Sequence, residues 1–320
     1  AAAPAHARRP VRQRAGVRRP QPLLRRRRQQ RHPARGQKAP CRAAPGRTRA
    51  ALAGPPPPSS FPLATPARPG QGCRMPSSTS GDAMTTPQTR HHPVVSRDRW
   101  LAERQALLDR EKALTRLGDE VSAARRALPW VQLAQDYRFD TVEGPRMLSE
   151  LFQGRRQLLV QHFMFGPGWE QGCKSCSFMT DHLDGMAIHL AHRDIALLLV
   201  SSAPLAEIER FRQRMGWRLP WVSSQGSDFN RDFQVSFTAE ELARGEVFYN
   251  YGWSSFPLTE APGISVFCRD DGGQLFHSYS TYGRGLEVMM GAYSLMDLTP
   301  QGRGEDELDF RMAWVRHHDR

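Results

Sequence analysis

The sequence predicts an α/β fold: a central mixed sheet flanked by helices, with a helical extension before it and an insertion ahead of a β-hairpin. Three observations point there. Residues 158–165 form an apolar run, and 195–201 form a continuous one of the kind found in strands covered on both faces. Each run is followed by a segment with helical spacing, and strand, helix, strand, helix in that order implies parallel strands joined by right-handed crossovers. Two later β-type runs, 263–268 and 274–282, flank the turn Asp270-Asp271-Gly272-Gly273 and read as an antiparallel hairpin.

The 320 residues carry 45 Lys and Arg against 32 Asp and Glu, a formal net charge of +13. That excess is concentrated at one end. Residues 1–90 hold 19 of the bases and a single acid, Asp82, which leaves 26 bases and 31 acids for the rest. The body of the chain is therefore mildly acidic, and nucleic acid is not an expected partner; the basic run Arg25 to Arg28 belongs to the arm. The arm also has 16 of the 25 prolines and no periodic apolar pattern, so it cannot bury enough surface to offset ordering entropy and is expected to be disordered. Met75 and Met84 lie just upstream of the first periodic segment, so much of the arm reads as translated upstream sequence and not native coding sequence. The alternatives, ranked below it, are an Arg-rich, acid-poor transit peptide and non-specific nucleic-acid binding through Arg25 to Arg28. No apolar run reaches about 18 residues, and Leu23-Leu24 is too short for a signal core, so neither a membrane span nor secretion is expected. Five cysteines, at 41, 73, 173, 176 and 268, do not make a disulfide-stapled secreted scaffold, and a reducing, cytoplasmic location follows.

Residues 91–130 are read as an N-terminal helix and 131–320 as the domain proper. Between 96 and 128, Trp100, Leu107, Leu114 and Val121 recur every seven residues, and Leu101, Leu108 and Leu117 broaden the stripe. The stripe predicts a helix docked on its own domain. The alternative is a homodimer formed through this helix, for which four heptads are barely enough. Pro129 ends the helix. Tyr137-Arg138-Phe139-Asp140 leads to a Glu143-Gly144-Pro145 turn, and 147–152 form a short helical turn before the first long strand. The segment after Cys173 puts Met179, Leu183, Met186, Ala187 and Leu190 on one stripe. Pro204 opens a helix with Leu205, Ile208, Phe211 and Met215 on one side and Gly216 at its end. Trp221-Val222-Ser223-Ser224 is a third, short strand. Residues 225–260 read as an insertion, with a loop at 226–230, a helix start at Thr238-Ala239-Glu240-Glu241 and an extra strand at 247–251. A last amphipathic helix covers 285–298, packing Leu286, Met289, Met290, Tyr293 and Leu295, and nothing periodic assigns 312–320.

The chemistry is concentrated in Gly172-Cys173-Lys174-Ser175-Cys176-Ser177. Two cysteines three positions apart fall in the first turn of a helix, where unpaired N–H groups and the positive end of the helix dipole favour a thiolate. Cys173, the more exposed, is expected to attack a disulfide, and Cys176, one turn on and partly covered, to resolve the mixed disulfide. Lys174 adds a positive charge that lowers the thiol pKa below its free value of about 8.5. Trp169 either shields one side of the pair or packs as a turn aromatic on the core.

Strand, CxxC helix, strand, helix, insertion, hairpin and helix is the order of a thioredoxin fold. Pro262, immediately before the strand at 263–267, adds to the likeness. In thioredoxin-like proteins a cis proline at that point lies against the dithiol and leaves a backbone edge free for a substrate peptide; the plain alternative is a trans proline starting an edge strand. Longer strings follow the same order: His162-Phe163-Met164-Phe165-Gly166-Pro167, Trp169-Glu170-Gln171-Gly172-Cys173-Lys174-Ser175-Cys176-Ser177, Met215-Gly216-Trp217 and Pro220-Trp221-Val222-Ser223-Ser224. They continue through Gly226-Ser227-Asp228-Phe229-Asn230, Val247-Phe248-Tyr249-Asn250-Tyr251, Thr281-Tyr282-Gly283-Arg284-Gly285 and Met312-Ala313-Trp314-Val315. In these strings residues 96–320 resemble a bacterial family of predicted dithiol-disulfide oxidoreductases, the DUF899 family. The resemblance implies a thioredoxin-like domain.

The expected function is thiol–disulfide exchange, with a protein or small-molecule disulfide as substrate and a thiol as electron donor. Three rival readings stand beside it. Zinc would need two more ligands from His182, His189, His192, Cys268 and His277, with no second CxxC nearby, and no metal is expected. Peroxide reduction calls for a Pro-x-x-x-Thr-x-x-Cys arrangement, whereas Pro167 stands six residues before Cys173 with no Thr between. A binding module would use the aromatic segment Phe248-Tyr249-Asn250-Tyr251-Gly252-Trp253. Cys268 reads as a buried, inert thiol or else a third redox cysteine. Asp228, Asn230 and Arg284 lie in polar loops within reach of a substrate. With no GxGxxG, Walker loop or serine triad, no nucleotide cofactor is expected.

Overall fold

The computed structural model describes residues 92–320; the arm at 1–90, with Cys41 and Cys73, lies outside them. The first element, α1 (Arg97–Arg126), is capped by Ser96, whose side-chain oxygen accepts the Arg99 N–H at 3.3 Å. No residue of α1 is buried, and Trp100 and Leu114 are 46% and 69% exposed. The heptad stripe exists, but the expected docking of this helix on its own domain does not occur. Contact with the domain comes at the end of the helix, where the Arg125 guanidinium lies 5.6 Å from the Tyr279 ring and Trp130 packs on Phe276.

Ten strands follow: β1 (Val131–Gln132), β2 (Arg138–Thr141), β3 (Gly144–Met147), β4 (Gln157–His162), β5 (Ile195–Ser201), β6 (Trp221–Ser223), β7 (Val247–Tyr249), β8 (Gly252–Ser254), β9 (Gly263–Arg269) and β10 (Leu275–Tyr282). Eight of them form one sheet in the order β1-β10-β9-β4-β5-β6-β2-β3, while β7 and β8 pair separately. β4, β5 and β6 run parallel, and β9 joins β4 antiparallel, with Gly263 opposite His162. The dithiol helix α2 (Lys174–Leu183) and the short α3 (Ala187–Ala191) make the crossover from β4 to β5, and α4 (Leu205–Met215) follows β5. The inner order β10-β9-β4-β5, with that crossover and a closing hairpin, makes this a thioredoxin-like fold.

Strand alternation explains the two layers of core. Leu158 and Val160 of β4 face Phe139, Phe229 and Phe267, whereas Leu159 and the following Phe163 join Cys176, Met179, Ile208 and Phe211. His162 is fully buried on the first side, its Nε2 2.7 Å from the Ser265 hydroxyl and its ring stacked on Phe233. Burial pushes its pKa down to about 3, so the ring stays neutral.

Local chemistry decided several boundaries differently from periodicity. The predicted stripe after Cys173 breaks into a tight turn at Asp184–Met186, where the Asp184 carboxylate accepts the N–H groups of Arg218 and Leu219 at 2.7 and 2.9 Å; Met186 is left exposed. In the insertion, α5 (Phe229–Asp232) takes over part of the expected loop, and Thr238 caps α6 (Ala239–Ala243). The extra strand stops at Tyr249 because Asn250 and Tyr251 adopt φ of 52° and 64° to reverse the chain into β8. The predicted last helix is a 3-10 segment, Gly283–Met289, followed by α7 (Gly291–Met296), with Leu295 exposed. No described helix is long and apolar enough to cross a membrane.

Because α1 buries nothing, removing residues 1–126 is expected to leave the domain folded, with Tm changed by less than about 4 °C, roughly 1 kcal/mol. Thermal unfolding of the shortened chain checks this, and a fall beyond about 10 °C contradicts it.

Candidate active site

β4 ends against the dithiol, and the residue that connects them is Met164. Its carbonyl accepts the Cys173 N–H at 3.1 Å, and its own N–H points at the Cys176 sulfur, 3.5 Å away. Cys173 takes the cap position of α2 with extended backbone (φ −59°, ψ 132°), and its carbonyl receives both the N–H and the hydroxyl of Ser177 at 2.9 Å. One turn on, Cys176 is 2% exposed, and its carbonyl accepts from Gln161 Nε2 and the Thr180 hydroxyl. Both thiols are free.

The two sulfurs differ in charge preference. Cys173 is drawn down to about 7, chiefly by the Cys176 thiol and then by the N–H groups of Cys176 and Ser175 and the Ser175 hydroxyl, against the opposing effect of burial. Burial pushes Cys176 well above the ordinary thiol range, and the neighbouring Cys173 charge adds to it. Near neutral pH the outer sulfur is therefore partly ionised, beside an inner one that keeps its proton. Lys174 is exposed, and its charge is not among the groups that shift Cys173.

Trp169 is half-buried and packs on the same core cluster as Cys173, its ring against Gly166. With Phe165, Phe211, Arg210 and Arg214 it lines a cavity of about 240 Å³ beside the turn that precedes the dithiol. Pro262 corrects one expectation: among the described residues no peptide bond is cis, so Pro262 is trans. Its carbonyl accepts the Tyr249 hydroxyl at 2.7 Å.

Other singled-out residues are scattered. His182 Nδ1–H donates to the Phe178 carbonyl at 2.6 Å and Nε2 accepts the Ala292 N–H at 3.0 Å, which fixes its tautomer in a structural role. His189 and His192 are exposed, and Cys268 is buried on β9 with its pKa raised by burial. Among the described residues no three His, Cys, Asp or Glu side chains gather as metal ligands. Arg284 pairs with Glu287, and Asn230 is buried, bonded to Ser224 and Ser236.

Three further contributors flank or separate the cysteines. The ends of the dithiol turn are tied by Gln171 Oε1, which accepts from Arg214, and by the Gly172 carbonyl, which accepts His317 Nε2–H at 3.0 Å. Gly172 is also forced by space: a Cβ there would lie 2.6 Å from Phe163 Cε1 and 2.8 Å from Phe211 Cε1. Ser175, between the cysteines, lowers the Cys173 pKa through both its N–H and its hydroxyl.

Fold and site together define a thioredoxin-like protein with an asymmetric pair of free thiols at a helix start. The chain belongs to the family described as "bacterial protein of unknown function (DUF899)", whose model matches residues 89–320. No curated protein matches it. Among solved structures it is similar to peroxidoxin BcpB from Mycobacterium tuberculosis (14% identity, TM-score 0.33), with 52% of this chain and 96% of that one covered. It is also similar to the bacterioferritin comigratory protein of Xanthomonas campestris (12%, TM-score 0.34, 52% and 96% covered). A third similarity is to a Chlorobium tepidum protein described as thiol:disulfide interchange protein DsbE (12%, TM-score 0.33, 52% and 98% covered).

Cys173 alkylation by iodoacetamide is expected to rise through a midpoint near pH 7. Cys176→Ala removes the largest cause of the lowering and moves that midpoint upward, toward the free-thiol value of about 8.5; an unmoved midpoint contradicts this account. Gly172→Ala is expected to cost about 1–3 kcal/mol by overpacking against two rings, read as a lower denaturant midpoint.

Proposed function

We propose that this protein is a thiol–disulfide oxidoreductase working through Cys173 and Cys176. The observation that carries the reading is the split between the two sulfurs: a half-buried Cys173 brought to about 7, over a buried Cys176 held as the thiol. A nucleophilic thiol is most effective when its pKa lies near the ambient pH, because lower values lose intrinsic nucleophilicity and higher ones leave little thiolate.

The Cys173 thiolate attacks a disulfide sulfur of the substrate, forming a mixed disulfide and expelling a thiolate. Forming that bond removes the negative charge at Cys173, which is one cause of the high Cys176 pKa, so the inner thiol becomes easier to ionise when its turn comes. Cys176 gives its proton to the departing thiolate and attacks Cys173 Sγ, which releases the second substrate thiol and leaves the pair oxidised. A thiol donor returns two electrons and two protons to restart the cycle. The Met164 N–H, directed at Cys176 Sγ, stabilises the resolving thiolate as it forms. A free dithiol suits a reducing compartment such as the cytoplasm.

Cys173→Ser is expected to lower kcat/KM for reduction of a disulfide by at least about a hundredfold, roughly 2.7 kcal/mol. Cys176→Ser keeps the first step and accumulates the mixed disulfide, seen as a mass adduct on Cys173. Full activity in Cys173→Ser contradicts the assignment.

A further inference from the structure

The backbone edge beside a thioredoxin-type dithiol is where an extended peptide adds as a strand, and it needs free N–H and C=O groups. Here the chain fills that edge itself. Ser236 and Glu260 form an antiparallel bridge. On either side of it the Phe237 N–H donates to the Thr259 carbonyl and the Ala261 N–H to the Val235 carbonyl, both at 2.8 Å. One residue further, the Pro262 carbonyl is taken by the Tyr249 hydroxyl at 2.7 Å, and proline has no N–H to offer.

Side chains hold the strap down. The Glu260 carboxylate accepts the hydroxyls of Ser236 and Ser202 at 2.7 and 2.8 Å, and the strap's own Val235 and Phe237 are buried. Its location follows from register. Gly263 opposes His162, so the preceding Pro262 and Ala261 run on toward Phe163 and Met164, the residue that touches both cysteines.

Resting on the exchange chemistry above, we propose that the substrate is a low-molecular-weight disulfide, because insertion residues 235–237 and Tyr249 already occupy the strand position an extended polypeptide substrate would take. A peptide could enter only by breaking these bonds and uncovering Val235 and Phe237. A small disulfide needs only the half-buried Cys173 sulfur. In the net reaction the Cys173–Cys176 bond forms and the substrate S–S bond breaks. The dithiol gives up two electrons and two protons, and the substrate leaves as two thiols.

The test compares the reduced, full-length protein with dithiothreitol, a dithiol with no binding surface, on glutathione disulfide and on insulin. The insulin-to-glutathione-disulfide ratio of second-order rate constants is expected to be at or below that of dithiothreitol. A ratio above it overturns the small-substrate proposal and leaves the exchange reading standing, whereas failure to reduce either probe overturns the exchange reading as well. Hydrogen exchange gives a readout independent of activity. The Ala261 and Phe237 amides are expected to exchange within about tenfold of Val266 in β9, a difference of at most 1.4 kcal/mol; exchange more than about a hundredfold faster shows an open strap and overturns the proposal.

Discussion

Met164 is the pivot of this structure. One peptide unit on each side of its Cα serves both cysteines: the carbonyl accepts the Cys173 N–H and the N–H faces the Cys176 sulfur. That arrangement requires the end of β4 to be fixed relative to the start of α2 within hydrogen-bond tolerance. β4 is suited to the task, paired with β5 on one side and β9 on the other and buried from Val160 to His162. The Phe163 N–H continues the ladder to the Val200 carbonyl, and the Ser201 hydroxyl donates to the Phe163 carbonyl at 2.6 Å. The precision of the site is inherited from the middle of the sheet.

Position within the helix then separates the two thiols. Cys173, at the cap, is surrounded by N–H groups that have no partner earlier in the helix, and these favour its charged form. Cys176 lies a turn deeper against Met179 and Phe163, where desolvation favours the neutral form. Three residues of helix thus separate one residue type into a thiol drawn toward ionisation and one that keeps its proton. The exposed Lys174 ammonium is not among the main causes of this difference.

The α/β class, the crossover order and both cysteines were legible because each leaves a short-range mark: a covered apolar run, a helix stop at Gly216, a pair of thiols three apart. The hairpin β2–β3 was not, since Arg138, Asp140 and Pro145 are poor strand formers and the pairing is supplied by the neighbouring β6, through Asp140 opposite Ser223. Seven-residue recurrence correctly marked α1 as a helix but misjudged its packing: periodicity reports an apolar face and says nothing of what covers it. The proline geometry and the covered edge were also out of reach, because both depend on where residues 235–237 and Tyr249 return in space. His317 lay beyond reading for the same reason, its target Gly172 being 145 positions away.

Those distant ties bear on how firmly the pair is held. The dithiol turn is fixed by β4 through Met164, by α4 through Arg214 on Gln171 and the Phe211 ring against Gly172, and by the closing segment through His317. The closing segment is in turn anchored by Arg214 holding Asp319 with two hydrogen bonds, at 2.7 and 3.0 Å, and by buried Val315. A loop clamped from three directions does not need to unfold for its thiols to meet, because both already belong to the first turn of one helix. Local unfolding draws on weakly tied segments, and this turn is tied to β4, to α4 and to the closing segment. The reduced pair is accordingly held in a fixed backbone frame.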